Sequence, residues 1–146
     1  MNRLLDRLYC GAFADVQPSL NAEGITCVLS LCEQAPEAVP GVKMIHAPIS
    51  DEVTLPPQTW SELLRALLAE IRDGHTVLVH CRLGVSRAPS LCAAYLAATG
   101  CIASPNTALA YVQERRSVAN PHPLTWYGVK QWWESVLYVP QPGREG

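Results

Sequence analysis

The stretch TVLVHCRLGVSRAPSLCAAYLAATG, residues 76–100, decides the fold. It opens with an apolar run, residues 76–80, which reads as a buried strand. It closes with an alanine-rich segment ending at Gly100, which reads as a helix with a glycine stop. Between them a short loop sets Cys81 and Arg87 on either side of Gly84. In open α/β sheets ligands bind at the carboxyl ends of strands. His80 and Cys81 lie at such an end.

The alternation of strand and helix extends outward from this unit. LYC (8–10) predicts a short strand ending at Gly11, and a weak helix over 18–23 stops at Gly24. ITCVLSL (25–31) is β-branched and continuously apolar, a second buried strand, and VKMIHAPI (42–49) is a further one. CEQAPEAVPG (32–41) and SDEVTLPP (50–57) are loops. The prolines of the latter pre-set the first turn of a helix, with Thr54 a candidate cap. Trp60, Leu63, Leu64, Leu67, Leu68 and Ile71 fall at helical spacing over 59–73. Ser104 and Pro105 start another helix, which NPHP (120–123) breaks. LTWYGVKQWWESVLY (124–138) predicts a last amphipathic helix, with Trp126, Val129, Trp133 and Val136 on its apolar stripe; core packing is expected of the tryptophans, with an exposed Trp132 as the alternative. The expectation is a single α/β domain over residues 1–140, with a central, mainly parallel sheet of four to five strands flanked by helices. Residues 141–146 are expected to form a flexible tail.

Composition excludes several classes. In 146 residues, hydrophobic side chains make up 49% and charged ones 16%, which suits a packed core and argues against disorder. A formal net charge of −2 provides no field for nucleic acid or membrane. There is no apolar stretch of spanning length and no secretory pattern at the N-terminus, so a cytoplasmic protein is expected. The six cysteines, at 10, 27, 32, 81, 92 and 101, show no C-x-x-C pair. They read mostly as small buried hydrophobes rather than a disulfide framework or metal site. His75, after a helix-ending glycine, is expected at the surface, and His46 on a strand. His122, in NPHP, reads as a plain loop histidine, with approach to the site as the alternative.

Only Cys81 has a neighbourhood that suggests chemistry. Loop amides converging before a helix N-terminus make an anion cradle. Gly84 permits the tight turn, and Arg87 adds a planar two-pronged donor. The same positive field favours thiolate over thiol: a free cysteine has a pKa of about 8.5, and such sites lower it to roughly 3.5–7.5. Thiolate, cradle and arginine together describe nucleophilic attack on a bound phosphate.

HCRLGVSR, residues 80–87, matches H-C-x-x-G-x-x-R and resembles the phosphate loop of cysteine-dependent protein phosphatases. Ser86 before the arginine and the short chain are most similar to the small atypical dual-specificity phosphatases. LYCGAFAD, GITCVLSL, HAPISD and YVQERRSVANP sit where that family has corresponding segments, so the resemblance spans nearly the whole chain. It implies a thiophosphate intermediate on Cys81, with Arg87 clamping the equatorial oxygens. Arg82, Leu83, Gly84, Val85 and Ser86 complete the phosphate-binding loop. Asp51 is implied as general acid and then base, with Glu52 its rival. His80 is implied behind the thiolate, and Asn120 as a support near the loop. It implies no cofactor, no metal, a phosphorylated protein or peptide as substrate, and a monomer.

The sequence departs from the family at Ala88, where a Ser or Thr usually eases departure of sulfur from the intermediate. Slow hydrolysis of a phosphocysteine is expected from this. Two other readings stand beside phosphatase chemistry. Rhodanese-like sulfurtransferases carry a shorter cysteine loop, and a phosphate-binding pseudophosphatase finds its support in Ala88. Lipid phosphatases resemble H-C-K-A-G-K-G-R, and this loop has no lysine.

Overall fold

The computed structural model describes residues 1–137; the tail expected at 141–146 lies outside them. Five strands form one sheet: β1 (Asn2–Leu5), β2 (Leu8–Ala12), β3 (Cys27–Ser30), β4 (Lys43–His46) and β5 (Val77–Cys81). Their order is β1-β2-β5-β3-β4. β5 is central, parallel to β2 on one side and β3 on the other, and β4 continues the parallel set. β1 closes the other edge antiparallel to β2. It is the strand that sequence reading leaves out, because its four residues, Asn2-Arg3-Leu4-Leu5, pair two polar with two apolar side chains and show no alternation.

Four helices follow: α1 (Pro57–Arg72), α2 (Arg87–Ala98), α3 (Pro105–Arg115) and α4 (Pro123–Leu137). The side chains of the strands sort the two faces. Cys10, Leu29, Val77, Val79 and Cys81 join the helices in the larger core. Val28 and Leu78 point the other way and are covered by Leu20, Ile25 and Val39 from loops and short 3-10 turns. The weak helix expected at 18–23 is such a turn, Pro18–Leu20.

α1 buries Trp60, Leu63, Leu64 and Leu67, the spacing expected of one apolar face. Full burial of side chains of this size contributes about 1.5–3 kcal/mol each. Its cap is not Thr54. Pro56 holds the N-cap position without a side-chain bond, and the Thr54 hydroxyl donates instead to the Leu124 carbonyl. α3 does carry the expected cap, with Ser104 Oγ accepting from the Thr107 amide. In α4 the buried stripe is Thr125, Val129 and Trp132, an i, i+4, i+7 set one residue out of phase with the predicted one. Trp132 is buried in the core, and its indole N–H donates to Ser61 Oγ at 3.1 Å. Val136 faces out at 40% exposure. His75 is half-buried, hydrogen-bonded to Thr26 Oγ1.

α2 is the most deeply set helix: all its residues from Arg87 to Ala97 are buried. It starts directly from the loop that leaves β5, so the core's central strand and its most buried helix together fix the geometry of residues 81–87.

Candidate active site

The loop turns at Gly84, whose φ of +67° lies in the left-handed region. A side chain there would collide with the Arg116 guanidinium and come within 2.6 Å of the Gly11 carbonyl. Glycine is required on both counts.

The carbonyls of the loop point outward, and each has a partner. The Phe13 amide donates to Arg82 O at 3.1 Å, and the Asn120 amide to Val85 O at 2.8 Å. Arg116 takes two: Nε donates to Gly84 O at 2.8 Å and Nη2 to Leu83 O at 3.2 Å. The Ser90 amide donates to Ser86 O at 3.0 Å. Because successive peptide groups carry N–H opposite C=O, fixing five carbonyls outside turns the amides toward the interior of the turn. None of the amides of residues 82–87 finds an acceptor among the described residues. Unpaired donors converging at the start of a buried helix form a site for an anion.

Cys81 lies at the floor of the turn, 2% exposed, and its Sγ accepts from the Ala88 amide at 3.4 Å. Arg87 is buried, and its Nη1 is anchored by Glu33 Oε1 (2.9 Å), Ile49 O (3.0 Å) and more weakly Leu31 O (3.4 Å). Its Nε has no partner among the described residues. A guanidinium held on one side and left open on the other is preorganised for a planar anion contact.

Asp51 opens into the same cleft, which encloses about 430 Å³ and is lined by Cys81, Arg87 and the 120–123 segment among others. Its Oδ1 accepts from two hydroxyls, Ser86 Oγ and Thr125 Oγ1, both at 2.7 Å. Burial pulls the carboxyl upward; these two bonds, the Glu52 amide and the Arg87 charge outweigh it and hold Asp51 below its ordinary value. With Oδ1 doubly occupied, Oδ2 is the oxygen left to carry a proton. Glu52 is exposed, with its backbone at φ 61°, and its amide donates to Thr125 Oγ1. Both acids line the cleft, but only Asp51 is tied by its side chain to the loop.

His80 is fully buried behind Cys81. Its Nδ1 lies 3.2 Å from the Cys81 carbonyl and must donate there, since a carbonyl only accepts. Burial pushes the imidazole below its ordinary value, and the bond to Cys81 offsets only part of this. Asn120 supports the loop through its main-chain amide, while its side chain is exposed at the cleft. His122 does approach the site: its amide donates to Ser86 Oγ at 2.9 Å, and its Nδ1 accepts from the Leu124 amide at the start of α4.

Three residues enter the site that sequence reading did not single out. Arg116 holds the outer rim of the loop, Glu33 anchors Arg87, and Thr125 positions Asp51.

Residues 8–134 match the family described as the dual specificity phosphatase catalytic domain. Dual specificity protein phosphatase 1 of Mus musculus is 28% identical over 97% of this chain, which spans 39% of that protein's length. Dual specificity protein phosphatase 22 of Homo sapiens is 32% identical, covering 84% of this chain and 67% of that protein. The crystal structure of human DUSP28 superposes with a TM-score of 0.84 at 26% identity, covering 94% of this chain and 98% of that one.

Proposed function

The chain belongs to the dual-specificity phosphatase family, of the atypical type, and from that premise we propose that it hydrolyses phosphomonoesters of tyrosine, serine or threonine on proteins through a phosphocysteine at Cys81. The observation that carries this reading is the set of outward-pinned carbonyls, which leaves the loop amides unpaired above Cys81 Sγ.

In the first step the three terminal oxygens of the substrate phosphate take those amides and the open edge of Arg87. Cys81 Sγ attacks phosphorus, the bond to the leaving oxygen breaks, and Asp51 delivers its Oδ2 proton to that oxygen. Asp51 is a carboxylate in the free protein; the bound dianion adds negative charge to the same cleft and favours its protonation. In the second step Asp51 takes a proton from water as water attacks phosphorus and the P–S bond breaks. The departing sulfur receives the Ala88 amide; among the described residues no hydroxyl donates to it, and the Ser86 hydroxyl is committed to Asp51. The chemistry runs on side chains and amides alone. Its substrate is a phosphorylated protein segment, and a monomer covering residues 1–140 suffices for it. Among the described residues no helix is long and apolar enough to cross a membrane.

The test is steady-state hydrolysis of matched phosphotyrosine, phosphothreonine and phosphoinositide substrates. Cys81→Ser is expected to abolish turnover. Asp51→Asn is expected to lower kcat by about 10²–10⁴-fold on poor leaving groups, with Glu52→Gln within a fewfold of the parent. Turnover that survives Cys81→Ser defeats the proposal; equal losses at Asp51 and Glu52 defeat the assignment of the acid.

A further inference from the structure

The described residues include six large apolar side chains exposed at 40% or more; Leu83 lines the cleft, and Val53, Val118, Leu124 and Tyr127 lie within four residues along the chain of residues that line it. None of the five belongs to either packed core. Single exposed hydrophobics need no explanation, but their concentration around one opening does.

The hydrogen bonds sort them into two lips. Leu83, 69% exposed at the tip of the phosphate loop, has its carbonyl held by Arg116, and Val118 follows two residues later in the turn closed by the Ala119 amide on Arg116 O. On the other side the Thr54 hydroxyl binds the Leu124 carbonyl, which joins the loop of Val53 to the start of α4. Tyr127 lies one turn further along the same helix.

The charges inside the opening narrow the occupant. Arg87 is anchored by Glu33, and the Arg82 guanidinium lies over the Phe13 ring, 5.3 Å from its centroid. No lysine lines the cleft, and Asp51 and Glu52 both do. A headgroup with several phosphates finds one anion cradle and two carboxylates. A peptide carrying one phosphate between apolar side chains finds a cradle with Leu83 on its rim and further exposed apolar side chains on the segments that flank it.

We propose that this cleft selects phosphorylated protein segments with apolar residues immediately flanking the phosphorylated one, and that the Leu83–Val118 and Val53–Leu124 lips set the preference. The inference rests on the phosphomonoesterase reading and deepens it. Each lip is expected to favour an apolar neighbour by about fivefold in kcat/KM, the effect of covering part of one exposed aliphatic side chain.

The experiment compares phosphotyrosine peptides of one length whose flanking residues are leucine, serine or aspartate, with p-nitrophenyl phosphate as a substrate without flanks. With about fivefold from each of the two lips, leucine is expected to exceed serine by about 25-fold and aspartate by more. Val118→Ser and Leu124→Ser are each expected to cut the leucine-to-serine ratio by about fivefold and to leave p-nitrophenyl phosphate turnover unchanged. Equal kcat/KM across the three peptides, with p-nitrophenyl phosphate turned over in a Cys81-dependent way, overturns the inference and leaves the phosphatase reading standing. A short-chain phosphoinositide preferred over every peptide also overturns it. Absence of any Cys81-dependent hydrolysis removes both.

Discussion

Replacing Thr125 by valine tests the electrostatic design of the acid–base group directly. The side chain is fully buried and valine keeps its volume, so the change removes a hydroxyl without leaving a hole. That hydroxyl donates to Asp51 Oδ1 at 2.7 Å and accepts from the Glu52 amide at 3.1 Å. A hydrogen bond to an ionised group contributes about 1.5–3 kcal/mol, and partial solvent access places this one at the low end. Without that bond the Asp51 carboxyl is expected to rise back toward its ordinary value. The sign for stability follows. A carboxyl whose folded pKa is depressed stabilises the fold above its unfolded value of 3.8, and that contribution is lost as pH falls through the folded value. The Thr125→Val protein is therefore expected to lose about 1.5 kcal/mol at pH 6 and less at pH 3, with the Glu52 amide adding a pH-independent part. Urea denaturation at the two pH values measures the difference, and NMR titration of the Asp51 side-chain carbon measures the shift. An unmoved titration, or a stability loss equal at both pH values, refutes the claim that Thr125 holds Asp51 ionised.

Arg116→Met leaves two loop carbonyls without their donor and is expected to cost about 3–5 kcal/mol of stability and at least 10²-fold in kcat/KM, read by urea denaturation and p-nitrophenyl phosphate kinetics. Ala88→Ser places a hydroxyl one residue past Arg87, beside the amide that meets Cys81 Sγ; a rapid-quench burst in the parent is expected to shrink as steady-state turnover rises, and an unchanged burst counts against slow hydrolysis as the limiting step. Burial holds His80 below its ordinary value of 6.5, so the folded state binds fewer protons there than the unfolded chain. Stability is expected to fall by about 1 kcal/mol between pH 7.5 and 5.5, with His80→Gln flattening that slope in denaturant titrations.

How much of this was legible in the sequence follows the range of the contacts. The phosphate loop lies within one strand–loop–helix unit, so Cys81, Gly84 and Arg87 announce themselves by spacing. Asp51 was placed through its segment HAPISD, and the structure adds why it stands apart from Glu52. Arg116, Glu33 and Thr125 were not legible, because their roles arise from pairings 32, 54 and 74 residues apart. Local pattern also misjudged α4. Trp132 is buried with Trp126 and Trp133 packed partly against the same core, while the buried stripe takes in Thr125 and leaves Val136 exposed. Asn120 was expected as a support near the loop; the contact the fold provides uses its main-chain amide, which any residue except proline supplies.

The burial of α2 makes ligand occupancy and global melting two readings of one equilibrium. An oxyanion seated on the loop ties down the first turn of the helix around which the interior is assembled, and it has no comparable seat on the unfolded chain. Tungstate, vanadate or phosphate should thus raise the melting temperature in proportion to the logarithm of their concentration, which turns a thermal scan into a titration of the empty cradle. The reciprocal holds as well: a packing defect at Leu91 or Leu96, remote from any solvent-facing surface, should be felt by an anion that touches neither.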